Sequence, residues 1–323
     1  MNSFKSAKHF GIRLFVAAVF LLPLIAGFTV PAAAKDEGAP GAVYTITNAT
    51  DGNEVAVYER SNNGSLSFQA SYPTDGLGSG VDLGSQGAVI LRENGRRLFV
   101  VNAGSNQISV FAVRKNGLDL LDTVDSGGIT PISLTLSGRI LYVLNAGGSG
   151  NISGFRVRDN GKLVPLAGST QPLSNGGTGD SPQPAQISFS PDGHLLVVTE
   201  KATNLIDTYE VRDGIAKTPV THPSSGLTPF GFAFAKRQNL IVSEAFGGAT
   251  DASAVSSYRV DRNTFDVISP SIGTTQTAAC WVVISNNNKY AYVTNAGSGS
   301  ISSYRIDKNG AITLLEAQAG LTG

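Results

Sequence analysis

The chain reads as an all-β propeller of four-stranded blades. Three observations carry that reading. A short apolar motif ending on a small polar or acidic residue recurs six times, as YTITNA at 44–49, FVVNAG at 99–104, YVLNAG at 142–147, VVTEKA at 197–202, IVSEAF at 241–246 and YVTNAG at 292–297. Each copy is followed by a second β-rich run and, in five repeats, by Asn-Gly or Asp-Gly, a pair that accepts the positive φ angles of a tight hairpin. Gly is abundant at 38 residues and charged residues are only 15% of the chain, with no long helical apolar period beyond the N-terminus.

The motif run is strand b of each repeat. Strand c follows (NEVAVYER, QISVFAVR, NISGFRVR, NLIDTYEV, AVSSYRV, SISSYRI), and strand d lies beyond the turns at 62–64, 115–117, 159–161, 213–214 and 308–310. Before every copy but the first stands one more apolar run, strand a, as GAVILRE, PISLTLS, PAQISFS, GFAFA and ACWVVIS. Polar turns such as SPDG at 190–193 and SNNN at 285–288 join it to the motif. Successive motifs are spaced at roughly the 40–50 residues of propeller repeats, and each such unit can bury its faces only against its neighbours.

This reading yields 23 strands, beginning near Ala42, with the first blade lacking its strand a. The count is one strand short of six complete blades, or one strand and a whole blade short of seven. The last d strand is expected near Ala311 to Ala317, and the Gly-rich tail Gln318 to Gly323 is too short for another. The expectation is therefore six recognisable blades of a seven-blade parent, C-terminally incomplete, with an open gap between blades one and six. Open blade edges are expected to promote self-association.

Residues 1–34 read as a secretory signal peptide: Lys5, Lys8 and Arg13 form a basic start, Leu14 to Val30 an apolar stretch broken by Pro23, and Ala32-Ala33-Ala34 a small-residue cleavage site. The alternative is a retained anchor, since the apolar stretch is close to the shortest length that spans a bilayer. Cleavage after Ala34 would leave residues 35–323 as one exported propeller domain, periplasmic or extracellular, without a stable membrane span. The chain holds 24 basic and 24 acidic groups, and the leader takes three basic ones with it, so the mature charge is about −3. That balance gives no reason to expect nucleic acid as a partner. A small-molecule ligand or an envelope protein is the expected partner instead.

Metal and cofactor chemistry finds no support in the residue inventory. His9 falls in the leader, leaving two of three histidines, and Cys280 stands alone inside an apolar run, where a small buried hydrophobe is the simplest role. Asp180 and Asp251 sit in Gly-rich loops without the acidic spacing of a calcium loop. No cofactor is expected.

The YVTN copies, the SPDG turn and the NG or DG hairpins resemble the lactonase family of seven-bladed β-propellers, which includes 6-phosphogluconolactonase and the fungal carboxymuconate lactonising enzyme. The resemblance spans essentially the whole mature chain and implies lactone hydrolysis. It also implies a Gly-Pro-Arg-His string opening an innermost strand, followed by Asn-Glu-Leu at the end of the next. The comparable places here are Pro184-Ala185-Gln186 leading to Glu200, and Pro229-Phe230-Gly231 leading to Glu244. Both glutamates match, and neither Arg-His pair is present.

Opening a lactone needs a base for water and a donor for the developing oxyanion. Glu200 or Glu244 is the candidate base, with Lys201 or a backbone amide as donor. The competing role, an ordinary solvated or hydrogen-bonding residue at a strand end, is the simpler one for both glutamates. Ends of b strands and starts of a strands share one propeller face, which gathers Gln86, Asn102, Asn145, Gln186, Lys201, Phe230, Trp281 and Asn295 as candidate ligand-binding residues around the channel mouth. His222 is expected in a connection on that face. For the asparagines the competing role is turn chemistry before Ala-Gly. A non-catalytic ligand- or protein-binding propeller is the alternative function.

Overall fold

The computed structural model describes residues 41–322. The proposed leader, its cleavage site and Lys35 lie outside the described residues. All but a few of the ordered elements are antiparallel strands, and the two helical pieces are single 3-10 turns, Lys236–Gln238 and Phe246–Gly248.

Six sheets follow one another along the chain. Blade one has three strands, Gly41–Ile46, Glu54–Arg60 and Leu66–Pro73, which are b, c and d of the repeat. Blade two has all four: Val89–Leu91, Arg97–Asn102, Gln107–Arg114 and Gly117–Asp125. In blade three Pro131–Ser137, Ile140–Asn145 and Asn151–Val157 are a to c, and the outer position is shared by Leu163–Pro165 and Gln171–Pro172. Blade four has Pro184–Phe189, Leu195–Glu200 and Leu205–Arg212, with Ile215–Ala216 and Val220–Pro223 outermost. Blade five is Pro229–Ala235, Asn239–Glu244, Ala254–Asp261 and Thr264–Gly273. Blade six is Ala279–Ile284, Tyr290–Asn295, Ser300–Ile306 and Ile312–Leu321.

The expected strand order is thus observed, and among the described residues blade one has no inner strand. One boundary differs. The last strand continues to Leu321 rather than ending near Ala317, because two bulges let Gly320 and Leu321 pair with Ile301 and Ser300. The hairpin signals act as read: Gly64, Gly161, Gly214 and Gly310 take φ of 85°, 92°, 83° and 93°, angles that a side chain would strain.

Packing between blades holds the ring. Five apolar clusters form, one for each successive pair of blades. Between blades four and five, for example, Leu195, Val197 and Ile206 meet Phe232, Leu240 and Tyr258. In blades four, five and six a tyrosine of strand c ties the interface to the preceding blade or its outgoing connection: Tyr209 donates to Pro172 O at 3.1 Å and Tyr304 to Ile272 O at 3.0 Å, while Tyr258 accepts from Ser225 N at 2.8 Å. Among the described residues no sixth cluster joins blade six to blade one, and no strand of one pairs with a strand of the other. Val43, Leu66 and Phe68 on blade one, and Trp281, Val283, Tyr290, Tyr292 and Leu315 on blade six, remain exposed.

Candidate functional site

The ten candidate residues separate into two groups. The five at the ends of b strands are buried; the asparagines bond mainly to strand c of their own blade, and the glutamates also bond the connection that passes over it. Asn102 donates to Ser109 Oγ at 2.7 Å and accepts from Asn53 Nδ2 at 2.9 Å; Asn145 donates to Asn151 Oδ1 at 2.7 Å; Asn295 donates to Ser302 Oγ at 2.9 Å. Glu244 accepts from Gly226 N at 2.9 Å, from Ser271 Oγ at 2.7 Å and from Ser256 Oγ. Glu200 accepts from Ser174 N at 3.0 Å and from Thr203 Oγ1 at 2.6 Å. Both glutamates are fully buried, at equivalent ends of adjacent blades.

The connecting chain must come very close to this position. A side chain at Gly76, Gly128 or Gly226 would collide with Asn102, Asn145 or Glu244 respectively. The repeated Gly-Leu or Gly-Ile at 76–77, 128–129 and 226–227 is the sequence signal of that crossing.

The two glutamates differ in one respect. Glu244 is met by hydroxyls and an amide, whereas Glu200 faces a second carboxyl group, Asp207, on strand c of its blade. Burial and the charge of Glu200 raise the Asp207 carboxyl to about 8. It is therefore protonated at neutral pH, as two carboxylates cannot both stay charged in a buried site. Asp207 stands where other repeats carry Ser109, Ser153, Ser256 or Ser302, and that departure from the repeat pattern marks it in the sequence. Burial also raises Glu244, and its hydrogen bonds oppose the shift.

The remaining five candidates, Gln86, Gln186, Lys201, Phe230 and Trp281, meet at the channel. What assembles them is the lead-in to blade two, residues 82–87, which crosses the channel. Ser85 Oγ donates to Ile132 O of blade three at 2.9 Å, Gln86 N to Ala185 O of blade four at 3.2 Å, and Trp281 Nε1 of blade six to Ser85 O at 2.8 Å. Gln86 forms a two-bond pair with the backbone of Val282, 3.1 Å each way, and Gln186 forms the same pair with Phe232 at 3.0 and 2.7 Å. Both glutamines therefore stitch inner strands together. The innermost ring is bridged by side chains while the outer gap stays open.

Bulges at the start of the inner strands of blades four, five and six turn Gln186, Phe230 and Trp281 toward this crossing. Lys201 Nζ donates to Gly84 O at 2.7 Å and lies 4.8 Å from the Phe230 ring centre, and Phe230 meets Trp281 edge-on at 6.4 Å. Burial pushes the Lys201 ammonium below its usual range, with Asp82 opposing the shift. Asp82 accepts from Gly84 N at 2.9 Å through one oxygen, and the other accepts no hydrogen bond among the described residues. Cys280, beside this cluster, is buried and its thiol is raised by burial, which disfavours the thiolate.

His222 is displaced from its expected place. It lies within the outer strand of blade four, stacked on Phe265 at 4.1 Å and bonded to Thr208 Oγ1 at 3.0 Å, outside the channel cluster. Behind the crossing segment the channel widens to a cavity of about 870 Å³, lined by the inner strands of blades two to four and open toward their a–b turns. Among the described residues no three His, Cys, Asp or Glu side chains group as metal ligands.

Residues 43–171, which span blades one to three, match the family described as lactonase, seven-bladed β-propeller. No curated protein sequence matches the chain. Among solved structures, a Bacteroides uniformis protein provisionally named a 6-phosphogluconolactonase is similar at 16% identity and TM-score 0.63, over 85% of this chain and 81% of that one. The periplasmic gluconolactonase of Pseudomonas aeruginosa is similar at 18% and 0.61, over 85% and 81%. Virginiamycin B lyase of Staphylococcus aureus is similar at 17% and 0.53, over 89% and 87%. At these identities the likeness shows the fold alone, and the same fold serves lactonases and a lyase. The resemblance read from the YVTN repeats is thus shown by a match to the lactonase family of β-propellers over the first three blades, and by the propeller fold through all six.

Proposed function

We propose that this propeller is a lactone hydrolase of the lactonase type, acting on a lactone or sugar-lactone-like substrate at the mouth formed by Lys201, Phe230 and Trp281. The observation that carries the reading is the Lys201 ammonium, held by Gly84 O against an aromatic wall and partly removed from water. It has three protons and spends one on Gly84, leaving donors for the oxygen that becomes negative as water adds to the ester carbonyl. Asp82 supplies the base that takes the proton from water, and as the adduct collapses and the ring C–O bond breaks, Asp82 returns that proton to the leaving ring oxygen, giving a hydroxy acid. In this reading Glu200 and Glu244 shape the blades and do not contact substrate. Export after cleavage at Ala34 belongs to the same proposal; the leader pattern supports it, and N-terminal sequencing of the secreted protein tests it.

A second reading, a non-catalytic binding propeller, is favoured by the burial of both glutamates and by the roomy channel cavity. A panel of lactones assayed by acid release separates the two. Lys201→Met should lower turnover about 10²-fold, the usual cost of removing an oxyanion donor, with its melting temperature kept. Glu200→Gln and Glu244→Gln should change melting temperature more than turnover. Saturable binding of lactones without hydrolysis would establish the second reading and overturn the first.

A further inference from the structure

The arginines of this chain are unevenly placed. Five of them, Arg92, Arg96, Arg97, Arg139 and Arg158, line a single pocket of about 110 Å³ on the a–b turn side of blades two and three, with Asp159 the only acidic side chain in its wall. A basic lining recurs between blades five and six, where Lys236, Arg237, Lys289 and Lys308 surround a pocket with Asp307, but there only one of the basic groups is a guanidinium. The corresponding turn of blade four is Ser190-Pro191-Asp192-Gly193, and that of blade six is Asn286-Asn287-Asn288. In a chain with equal numbers of basic and acidic groups, this patch stands out as locally cationic.

The hydrogen bonds in the pocket orient the guanidinium groups without neutralising them. Arg92 Nη2 donates to Gly138 O at 3.2 Å, and Arg97 donates to Arg96 O at 3.1 Å and Asp159 O at 3.2 Å. These acceptors are uncharged carbonyls. Only Arg139 is paired, to Asp159 at 2.7 Å. The side chains of Arg96 and Arg158 make no hydrogen bond or ion pair among the described residues. Several guanidinium groups thus line one small space, and a tetrahedral oxyanion there can accept bonds from more than one of them.

We propose that this pocket binds an oxyanion of the phosphate or sulfate class, free or as the terminal group of a small organic molecule. Arg92 and Asn94 also line the 870 Å³ channel cavity, so a molecule whose anionic group sits in the pocket extends its neutral part into the channel. The channel wall there is largely uncharged, with Gln186, Thr135 and Ser188 among its polar groups, which suits a hydroxylated body. Glu93 faces that larger cavity, where it disfavours a second anionic group. The proposal is independent of lactone hydrolysis, since Lys201 lines neither space.

The test is calorimetric titration of the full chain, at constant ionic strength, with inorganic phosphate and with glycerol 3-phosphate. Saturable one-site binding of phosphate that weakens with added salt is expected. The double variant Arg96→Ala/Arg158→Ala should weaken it about tenfold or more, the loss expected from removing charged hydrogen bonds, while leaving the melting temperature of the unliganded protein unchanged. Arg262→Ala, outside the pocket, should bind as the unaltered chain does. Tighter binding of glycerol 3-phosphate than of phosphate supports extension into the channel, whereas equal binding overturns that part. Absence of saturable phosphate binding at low salt, or binding that survives the double variant, overturns the site.

Discussion

Strand b of blade four, Leu195–Glu200, and strand b of blade six, Tyr290–Asn295, descend from the same motif but meet different surroundings. Every residue of the first is buried, whereas in the second buried and exposed or half-buried positions alternate. Blade one repeats the second pattern: Tyr44 and Ile46 turn toward blade two, and Val43 faces outward. A strand between two blades can be apolar on both faces because both are covered, and an end blade carries the same apolar run with half of it uncovered. The inner interfaces are complete, so the expected cost of that exposure is to solubility rather than to the fold.

The largest effect should come from one residue type placed on either side of that divide. Phe232, 1% exposed between blades four and five, and Phe68, 58% exposed on blade one, are both replaced by Ala. Denaturant unfolding should show a loss of about 3–5 kcal/mol for Phe232→Ala and about 1 kcal/mol or less for Phe68→Ala. Similar losses at both sites would mean that the outer face of blade one is covered in solution, and the contrast between inner and end blades would fail.

An intermediate effect separates two inner blades. Asp207 in blade four is raised from 3.8 to about 8 by burial and by Glu200. An acid with a raised folded pKa binds more protons folded than unfolded, so its contribution to stability is largest at low pH and is lost as pH rises from about 4 toward 8. His222, which burial holds below its usual range, acts in the opposite direction. The readout is therefore the difference between the unaltered chain and Asp207→Asn. The melting temperature of the unaltered chain should fall between pH 5 and pH 8, and that of Asp207→Asn should fall less. Parallel curves would mean that Asp207 is ionised in the folded protein.

The smallest effect is on association. Concentration-dependent light scattering should report self-association through the uncovered faces, and Val283→Lys, at a position 59% exposed, should reduce it. The same variant should alter stability by about 0.5 kcal/mol at most. A chain that is monomeric at all concentrations would show that the exposed apolar residues are too dispersed to act as an interface.

Much of the architecture is legible in the sequence because its signals are local. The apolar runs mark strands, and the Asn-Gly and Asp-Gly pairs mark hairpins. Both depend on residues close in the chain, so the order of strands and the absence of strand a in blade one follow from counting. The end of the last strand is not legible, because bulges that no local signal announces carry its pairing to Leu321. At the site, the grouping of Gln86, Gln186, Lys201, Phe230 and Trp281 was readable from topology, since equivalent strand ends share a face. The sealing of Glu200 and Glu244 was not. It depends on Ser174 and Gly226, which lie in connections between blades, and on Ser271 in strand d of blade five.

The amino-acid sequence by itself determined the strand order, the hairpins and the number of blades, since these follow from periodicity and turn chemistry within each repeat. Only the tertiary structure decided which polar residues meet solvent. An Asn or Glu at a strand end reads the same whether it faces a channel or a neighbouring loop, and the choice is made by chain that lies far away in sequence. The crossing of residues 82–87 over the channel and the gathering of five arginines between two blades are both of that kind. Each depends on which surfaces the ring brings together, and burial and charge then set the chemistry of groups that no local pattern distinguishes.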